Sequence, residues 1–178
     1  MKVSVVVPVY NMEETVGLAI ASALDSSLRD LEVIIVNDAS TDRTGEIIKA
    51  HAQTDPRVRI HTFNSNMGHV VAMNWGIHLA KGQYVTMLDA DDRIDAEKLQ
   101  LQADYLDAND VGACVTRARL IDDSGAPFTD EKHPRAKLLK PENRTEEQWH
   151  AFFTGGGNFV FGGIMFRKEI LPTVGPYD

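Results

Sequence analysis

The stretch YVTMLDADD, residues 84–92, joins a short apolar run to three aspartates within four positions. The run from Tyr84 to Leu88 is typical of a buried strand, and the acids follow it directly. If the backbone stays extended, Asp89 and Asp91 point the same way, about 6.6 Å apart at roughly 3.3 Å per residue, and Ala90 points the opposite way. The stretch therefore predicts two neighbouring carboxylates at the end of a strand.

Two carboxylates this close repel each other, and in a partly desolvated cleft the repulsion is on the order of 4 kcal/mol at about 4 Å. A divalent cation such as Mg²⁺ or Mn²⁺ would relieve it, because such ions prefer oxygen ligands and also bind substrate phosphates. The alternative is that the aspartates cap the helix that follows. The strand context favours the cation, since open parallel sheets bind ligands at the carboxyl ends of their strands.

Outward from this stretch, apolar runs typical of strands alternate with helical stripes. Predicted strands cover residues 2–9, 31–36, 58–63, 84–88, 111–121 and 158–167. Predicted helices lie around 16–24, around 47–48, over 70–80 and over 96–107, with a short helix after Thr145 and a helical turn at 168–171. The alternation predicts an α/β fold with a mostly parallel sheet flanked by helices, in which the acids at 38, 89 and 91 share one edge.

Three local signals refine this outline. Pro8 cannot donate to a strand ladder and is expected to end the first strand. Asn11 with Glu14 resembles a capping box for the first helix. The regular alternation ends at the turn 122–125, and the polar, proline-containing segment 126–144 is predicted to be a mobile or functional loop.

Composition narrows the class of protein. The chain has 178 residues, 43% of them hydrophobic, which is enough for one domain with a buried core. A net charge of −8 offers no basic face for a nucleic-acid backbone, so no nucleic-acid partner is expected. The single cysteine, Cys114, lies in an apolar run, which predicts a core residue in a reducing compartment. The six histidines show no short ligand spacing and are predicted to lie at the surface.

The sequence also bears on location. No apolar stretch approaches the roughly 18 residues that a membrane-spanning helix needs. The amino terminus enters a strand without the layout of a signal peptide. We therefore expect a cytoplasmic chain, free or peripheral at the inner face of the membrane, whose oligomeric state stays open.

Five motifs in order carry a resemblance to a known family. They are SVVVPVYN (4–11), EVIIVNDASTDRT (32–44), NMGHVVAMNWGIHLAKGQYV (66–85), MLDADD (87–92), and IMFRKEIL (164–171) with VGPYD (174–178). Together they make nearly the whole chain resemble a family 2 glycosyltransferase of the GT-A type, which is Rossmann-like. The resemblance implies transfer of a sugar, of the hexosyl or N-acetylhexosaminyl kind, from a UDP-sugar to an acceptor hydroxyl, generally with inversion. The sugar and the acceptor, whether glycan, lipid or polysaccharide, stay open.

The resemblance also implies a uracil pocket beside the first strand. Pro8 and Tyr10 would line it, with the ring of Tyr10 as a stacking face for the base. Asn11 and Glu13 would sit in the same turn, although Asn11 is equally well explained as a helix cap. Asp38 would accept the N3–H of uracil, which cytosine lacks; as a helix cap it would instead be exposed at the end of its strand.

The remaining implied contacts concern the diphosphate and the sugar. Asn66 would reach the nucleotide from the loop after the third strand, unless it is a plain turn residue. Asp89 would face the ribose, with Ala90 beside the nucleotide sugar. Asp91 would hold the divalent cation, Mn²⁺ or Mg²⁺, that bridges the diphosphate.

The family pattern is not matched everywhere. Inversion needs a base for the acceptor's proton, and the family's acidic base lies downstream of the VGPYD segment, so we expect it beyond Asp178. Residues 1–121 would then form the nucleotide-binding half and 122–178 the start of the acceptor-binding half, so that this chain holds the donor site only and is expected to bind the donor without turning it over. Asn37 stands where members often carry an aspartate. Met73 stands where many carry an arginine, which leaves donor affinity and donor choice open.

Three other protein classes share some of these sequence features. A sugar-phosphate nucleotidyltransferase would share the sheet and the acids but would place a glycine-rich basic loop after the first strand, where residues 8–11 read PVYN. A non-catalytic nucleotide- or sugar-binding module is favoured by Asn37, Met73 and the missing base. A dinucleotide-binding oxidoreductase is excluded, because no GxGxxG follows any strand.

Overall fold

The computed structural model describes residues 1–122, 124–128 and 163–177. The elements in chain order are β1 (Val3–Val9), α1 (Val16–Leu24), β2 (Leu31–Asn37), α2 (Thr44–Thr54), β3 (Val58–Thr62), α3 (His69–Leu79), β4 (Tyr84–Met87), α4 (Lys98–Ala108), β5 (Ala113–Val115), β6 (Ile164–Arg167), a 3-10 turn (Lys168–Ile170) and α5 (Leu171–Val174). The strands form one sheet in the order β3-β2-β1-β4-β6-β5. The first four run parallel, and β6 is antiparallel to both of its neighbours. The predicted α/β class with a mostly parallel sheet is confirmed.

The centre of the sheet is covered on both faces. Every residue of β1 and β2 is buried, as expected for parallel strands between two helical layers. On one face Val5 and Val7 belong to the larger apolar cluster, which includes residues of α1, α2 and α4. On the other face Val6 joins a smaller cluster with α3. This packing fixes the strands, and therefore fixes where their carboxyl ends lie.

One charge lies inside this sheet. Glu32 of β2 is 1% exposed, and its Oε1 atom accepts hydrogen bonds from Ser4 Oγ and from the Lys81 N–H, both at 2.7 Å. Its Oε2 atom lies 2.5 Å from Nη1 of Arg59. Burial tends to raise the pKa of Glu32, but these partners hold it below its usual value. Glu32 therefore ties together β1, β2, β3 and the turn before β4.

The far edge of the sheet departs from the sequence prediction. β5 is only Ala113–Val115, so a strand over 111–121 is wrong beyond Val115. Residues 116–120 alternate in exposure like an extended chain, yet they form no ladder with another described strand. The predicted turn is confirmed, since the N–H of Gly125 donates to the carbonyl of Asp122 at 2.8 Å. The predictions for 129–162, including the helix after Thr145, lie outside the described residues.

The structure also shows where the cysteine and four of the six histidines lie. Cys114 is half-buried against the larger cluster, and burial raises the pKa of its thiol. His51 and His61 are half-buried, whereas His69 and His78 are exposed. Within the described segments, no helix has the length and apolar character needed to cross a bilayer.

Candidate functional site

The carboxyl ends of β1 and β2 bring two predicted site residues to the same place. Val9 of β1 pairs with Asn37 of β2, and the N–H of Asp38 donates to the Val9 carbonyl at 2.8 Å. Tyr10 and Asp38, the next residue on each chain, are therefore neighbours at this edge. Tyr10 is 43% exposed to solvent, whereas Asp38 is only 3% exposed. The edge thus presents an accessible aromatic ring beside a buried carboxylate.

Pro8 precedes this pair but does not end β1 as predicted. Alternate residues of an inner strand bond to opposite neighbours: the Leu88 N–H donates to Val6, towards β4, and the Asp38 N–H donates to Val9, towards β2. The missing N–H of Pro8 therefore faces the β4 side. Pairing with β2 is unaffected and continues through Val9.

The acidic stretch after β4 is a turn, so the extended backbone that would have pointed Asp89 and Asp91 the same way does not occur. β4 ends at Met87, and the N–H of Asp92 donates to the Asp89 carbonyl at 3.0 Å. The physical reason lies in β1, because Pro8 has no N–H for the carbonyl of Leu88 and the ladder cannot continue. The turn buries Ala90, which is 5% exposed.

Asp89 and Asp91 nevertheless remain close enough to interact. Burial raises the pKa of Asp89 above its usual value, nearby His69 opposes the rise, and the charge of Asp91 adds to it. Like charges in a partly desolvated place favour a compensating cation. The turn therefore keeps the electrostatic character predicted from the sequence, although its backbone differs.

The loop after β3 connects Asp38 to this turn. The carboxylate of Asp38 accepts the N–H groups of Met67 at 2.7 Å and of Gly68 at 2.9 Å. Gly68 has a φ of 91°, which glycine adopts without steric cost. Asp38 therefore binds this loop and is buried, contrary to the exposed helix cap that was the alternative. The side chain of Asn66 accepts the same Gly68 N–H at 3.1 Å, as a turn residue does.

His69 follows that loop directly and was missed by the sequence analysis. Its Nε2 atom lies 4.0 Å from Oδ1 of Asp89. Contacts therefore run from Asp38 through the loop to Asp89, so the predicted acids do lie at one edge of the sheet. The available sequence signal was the position of His69 at the start of α3, on the side of the sheet where the strands end.

Asn11 does not form the predicted capping box. α1 begins after Thr15, which makes no side-chain capping bond. The Oδ1 atom of Asn11 instead accepts the N–H of Thr41 at 2.8 Å, and the Asn11 N–H donates to Ser40 Oγ at 3.0 Å. The side chain of Asn11 therefore joins the loop after β1 to the loop after β2.

Glu13 makes the same kind of connection. Its Oε2 atom accepts the N–H of Arg43 at 2.8 Å, and its own N–H donates to Oδ2 of Asp42 at 3.1 Å. Both partners lie at the start of α2. The carboxylate of Glu13 is therefore engaged within the protein.

The two positions that depart from the family pattern have structural roles. Asn37 is 5% exposed, and its Oδ1 atom accepts the N–H of Ser40 at 3.0 Å. Met73 is also 5% exposed and packs in the smaller apolar cluster. Both side chains are uncharged and almost fully buried.

The residues present fit a divalent cation of the kind that serves a diphosphate. Across the described residues, no three His, Cys, Asp or Glu side chains are grouped closely enough to enclose an ion. A Mg²⁺ or Mn²⁺ ion that binds substrate phosphates uses only one or two carboxylates and takes its other ligands from phosphate and water. The exposed Asp91, with Asp89 beside it, offers that donor set.

A separate groove of about 440 Å³ lies between α3 and the chain after β6. Its lining includes Asn74, Ile77, Lys168 and Tyr177. Its lining does not include Tyr10, Asp38, Asp89 or Asp91.

Comparison with known proteins decides the family. Residues 4–175 match the family model described as Glycosyl transferase family 2. The chain belongs to glycosyltransferase family 2. One relative is the uncharacterised glycosyltransferase EpsJ of Bacillus subtilis (strain 168), 37% identical over 95% of this chain and 48% of the relative. Another is the putative teichuronic acid biosynthesis glycosyltransferase TuaG of the same organism, 34% identical over 76% of this chain and 54% of the relative. This family 2 chain spans about half the length of the curated relatives it matches.

Solved structures share the fold of this family 2 domain. S. aureus TarS in complex with UDP has a TM-score of 0.73 at 23% identity, covering 97% of this chain and 48% of TarS. The mannosyltransferase PcManGT of Pyrobaculum calidifontis, in complex with GDP-Man and Mn²⁺, has a TM-score of 0.71 at 22% identity, covering 99% of this chain and 47% of PcManGT. The predicted GT-A fold is confirmed.

Proposed function

We propose that this family 2 domain binds a UDP-sugar and transfers the sugar to an acceptor hydroxyl, with Mn²⁺ or Mg²⁺ at the diphosphate and with inversion. The observation that carries the proposal is the gathering of Tyr10, Asp38 and the Asp89–Asp91 turn at one edge of the sheet. Support comes from structural neighbours, since TarS has been solved with UDP and with UDP-GlcNAc. PcManGT has been solved with a nucleotide sugar and Mn²⁺.

Base recognition is assigned to the end of β1 and β2. The exposed ring of Tyr10 offers a stacking face, worth roughly 1 to 3 kcal/mol per base, and Pro8 would line the same pocket. Each carboxylate oxygen of Asp38 accepts one backbone N–H and keeps a lone pair, so the group can also accept the N3–H of uracil. Because Asp38 is buried, such a charged hydrogen bond is stronger than it would be in water.

The ribose and diphosphate are assigned to the turn after β4. Asp89 would accept hydrogen bonds from the ribose hydroxyls, with Ala90 against the nucleotide sugar and Asn66 approaching from the neighbouring loop. Asp91 would hold the cation. When bound, that cation would stabilise the negative charge that grows on the leaving diphosphate. Residues 1–121 would thus form the donor half, and 122–178 would begin the acceptor half.

A non-catalytic nucleotide-binding module is the second candidate. The observation that favours it is Met73, whose apolar side chain packs in the core where many family members carry a phosphate-binding arginine. Such a module would bind UDP and the UDP-sugar without ever releasing UDP from the sugar. Because the base is expected beyond Asp178, measurement of UDP release from UDP-GlcNAc or UDP-glucose by a chain extended past Asp178 separates the two candidates.

Thermal unfolding with UDP and Mn²⁺, added singly and together, tests the proposal. Ligand at a hundred times its Kd adds about 2.7 kcal/mol to the free energy of unfolding. For a chain of this size we expect a rise in Tm of about 5 to 10 °C when both are present, and little with either alone. A Tm unchanged by UDP, GDP or CDP, with or without Mn²⁺, would contradict the proposal.

A further inference from the structure

We propose that Asn11, Glu13 and Asp42 are positioning residues: they lock the loops after β1 and β2 into one unit that sets Tyr10 against Asp38. The inference rests on the proposed function and adds to it. The family resemblance implies that Asn11 and Glu13 lie in the turn beside the uracil pocket. In the structure, their side chains have hydrogen-bond partners within the protein.

The loop that carries Tyr10 is not held by apolar burial. Residues 10–14 are all exposed, so hydrophobic contacts cannot fix their conformation. Hydrogen bonds to the neighbouring loop take that role, as the Asn11 N–H and Glu13 N–H both donate to side chains beyond β2. The Met12 N–H between them donates to Thr44 Oγ1 at 2.8 Å. Three successive residues of one loop are therefore bonded to the loop after β2 or to the first residue of α2.

The bonds also run in the opposite direction. The N–H groups of Thr41 and Arg43 donate to the side chains of Asn11 and Glu13 at 2.8 Å each. Each loop thus satisfies backbone donors of the other. Loss of one side chain would leave an N–H of the facing loop without its protein partner.

Asp42 connects these hydrogen-bonded loops to the first turn of α2. Its Oδ1 atom accepts the N–H of Thr44 at 3.0 Å, and its Oδ2 atom accepts the N–H of Glu13. Burial tends to raise the pKa of Asp42, but the bonds from Thr44 and Glu13 bring it below its usual value. A carboxylate at the start of a helix is also favoured by the helix dipole.

Positive φ angles occur in the same two loops, after β1 and after β2. Among the residues the structure describes, the non-glycine residues with positive φ are Asn11, at 52°, and Ala39, at 60°. Each directly follows one of the two residues proposed to contact the base, Tyr10 and Asp38. A left-handed conformation is tolerated by asparagine, but in a residue such as Ala39 it costs free energy and persists only where surrounding structure enforces it. The lock between the loops supplies that enforcement.

Matched variants test this role. Asn11→Gly permits the positive φ but removes the acceptor, whereas Asn11→Asp keeps both. Glu13→Ala removes the acceptor for Arg43, whereas Glu13→Gln keeps an oxygen there. Calorimetry with UDP and Mn²⁺ reports on base recognition. Calorimetry with inorganic pyrophosphate and Mn²⁺ reports on the turn after β4 alone.

We expect Asn11→Gly and Glu13→Ala to weaken UDP binding about three- to tenfold, since the loop must be ordered on binding. Pyrophosphate binding should stay unchanged, and Asn11→Asp and Glu13→Gln should bind UDP within about twofold of the parent chain. Equal UDP affinity in all four variants, or parallel loss of pyrophosphate, would overturn the positioning role. A parent chain that binds pyrophosphate and Mn²⁺ but no UDP would instead overturn the proposed function, and the positioning role with it.

Discussion

The carboxylate of Asp38 accepts the backbone N–H of Met67 at 2.7 Å. A residue proposed to read the base is therefore also the residue that holds the loop leading into α3. The same carboxylate accepts the N–H of Gly68, so the start of α3 and the neighbouring His69 depend on it. Recognition and local structure are coupled at this position.

Asp38→Asn should disturb both roles. The amide keeps one acceptor and turns an N–H₂ group towards a backbone donor, so we expect a loss of about 1 to 3 kcal/mol in the free energy of unfolding. The parent chain should prefer UDP over CDP by at least about tenfold, because only uracil offers an N3–H, and the variant should lose that preference. Denaturant unfolding and calorimetry measure the two effects. An unchanged ratio of UDP to CDP affinity would show that Asp38 does not read the base.

Tyr10→Ala should weaken UDP binding through loss of base stacking. The expected loss is about 1 to 3 kcal/mol of binding free energy. Tyr10→Phe keeps the ring and is the matched control, with affinity close to that of the parent chain. Titration calorimetry with UDP and Mn²⁺ distinguishes them. If the alanine variant binds UDP as tightly as the phenylalanine variant, the ring takes no part.

Asp91→Ala should abolish the part of UDP binding that needs a divalent cation. The remaining carboxylate, Asp89, is assigned to the ribose hydroxyls, so the variant loses the carboxylate assigned to the ion. We expect the variant to bind UDP equally with and without Mn²⁺, at the affinity of the parent chain without metal. Asp110→Ala, in the exposed loop between α4 and β5, is the control and should keep the Mn²⁺ response. A Mn²⁺ response that survives in Asp91→Ala would place the cation elsewhere.

Glu32→Gln should destabilise the sheet in a pH-dependent way. The amide faces Arg59 without a charge, and we expect a loss of about 2 to 3 kcal/mol at pH 7, or a fall in Tm of about 4 to 12 °C. Because the pKa of Glu32 is lower in the folded chain than its usual value near 4.5, ionisation stabilises the fold above that value. This contribution disappears as pH falls through the folded-state pKa.

The difference between the parent chain and Glu32→Gln should therefore be full at pH 7 and shrink below about pH 4.5. Denaturant unfolding at several pH values measures it. Glu46→Gln, an exposed change on α2, should stay within about 0.5 kcal/mol of the parent chain. A difference that is the same at pH 3 as at pH 7 would mean that the charge of Glu32 does not contribute.

The sheet and its helices were predictable because buried segments are apolar over consecutive or periodic positions of the sequence. Runs such as residues 3–9 and 31–37 are apolar at nearly every position, and most predicted boundaries agree within two residues. The turn after β4 was not predictable in this way. Its cause is Pro8, a residue of another strand, whose missing N–H matters only once the register is known.

The site shows the same division between local and distant causes. The sequence pattern placed Asp38, Asp89 and Asp91 at one edge, because strand ends of a parallel sheet gather there. It misassigned Asn11, since a capping box and a loop-to-loop bond demand the same kind of side chain, and only the fold supplies Thr41 as the partner. Likewise, the contact between His69 and Asp89 joins separate loops.

A crystal structure with UDP and Mn²⁺, with the metal located by its anomalous scattering, tests the central claim most directly. We predict a Mn²⁺ peak between the Asp91 carboxylate and the diphosphate, with the uracil ring on Tyr10 and its N3 at Asp38. UDP bound in the groove lined by Asn74 and Tyr177, or a Mn²⁺ ion away from the turn after β4, would contradict it.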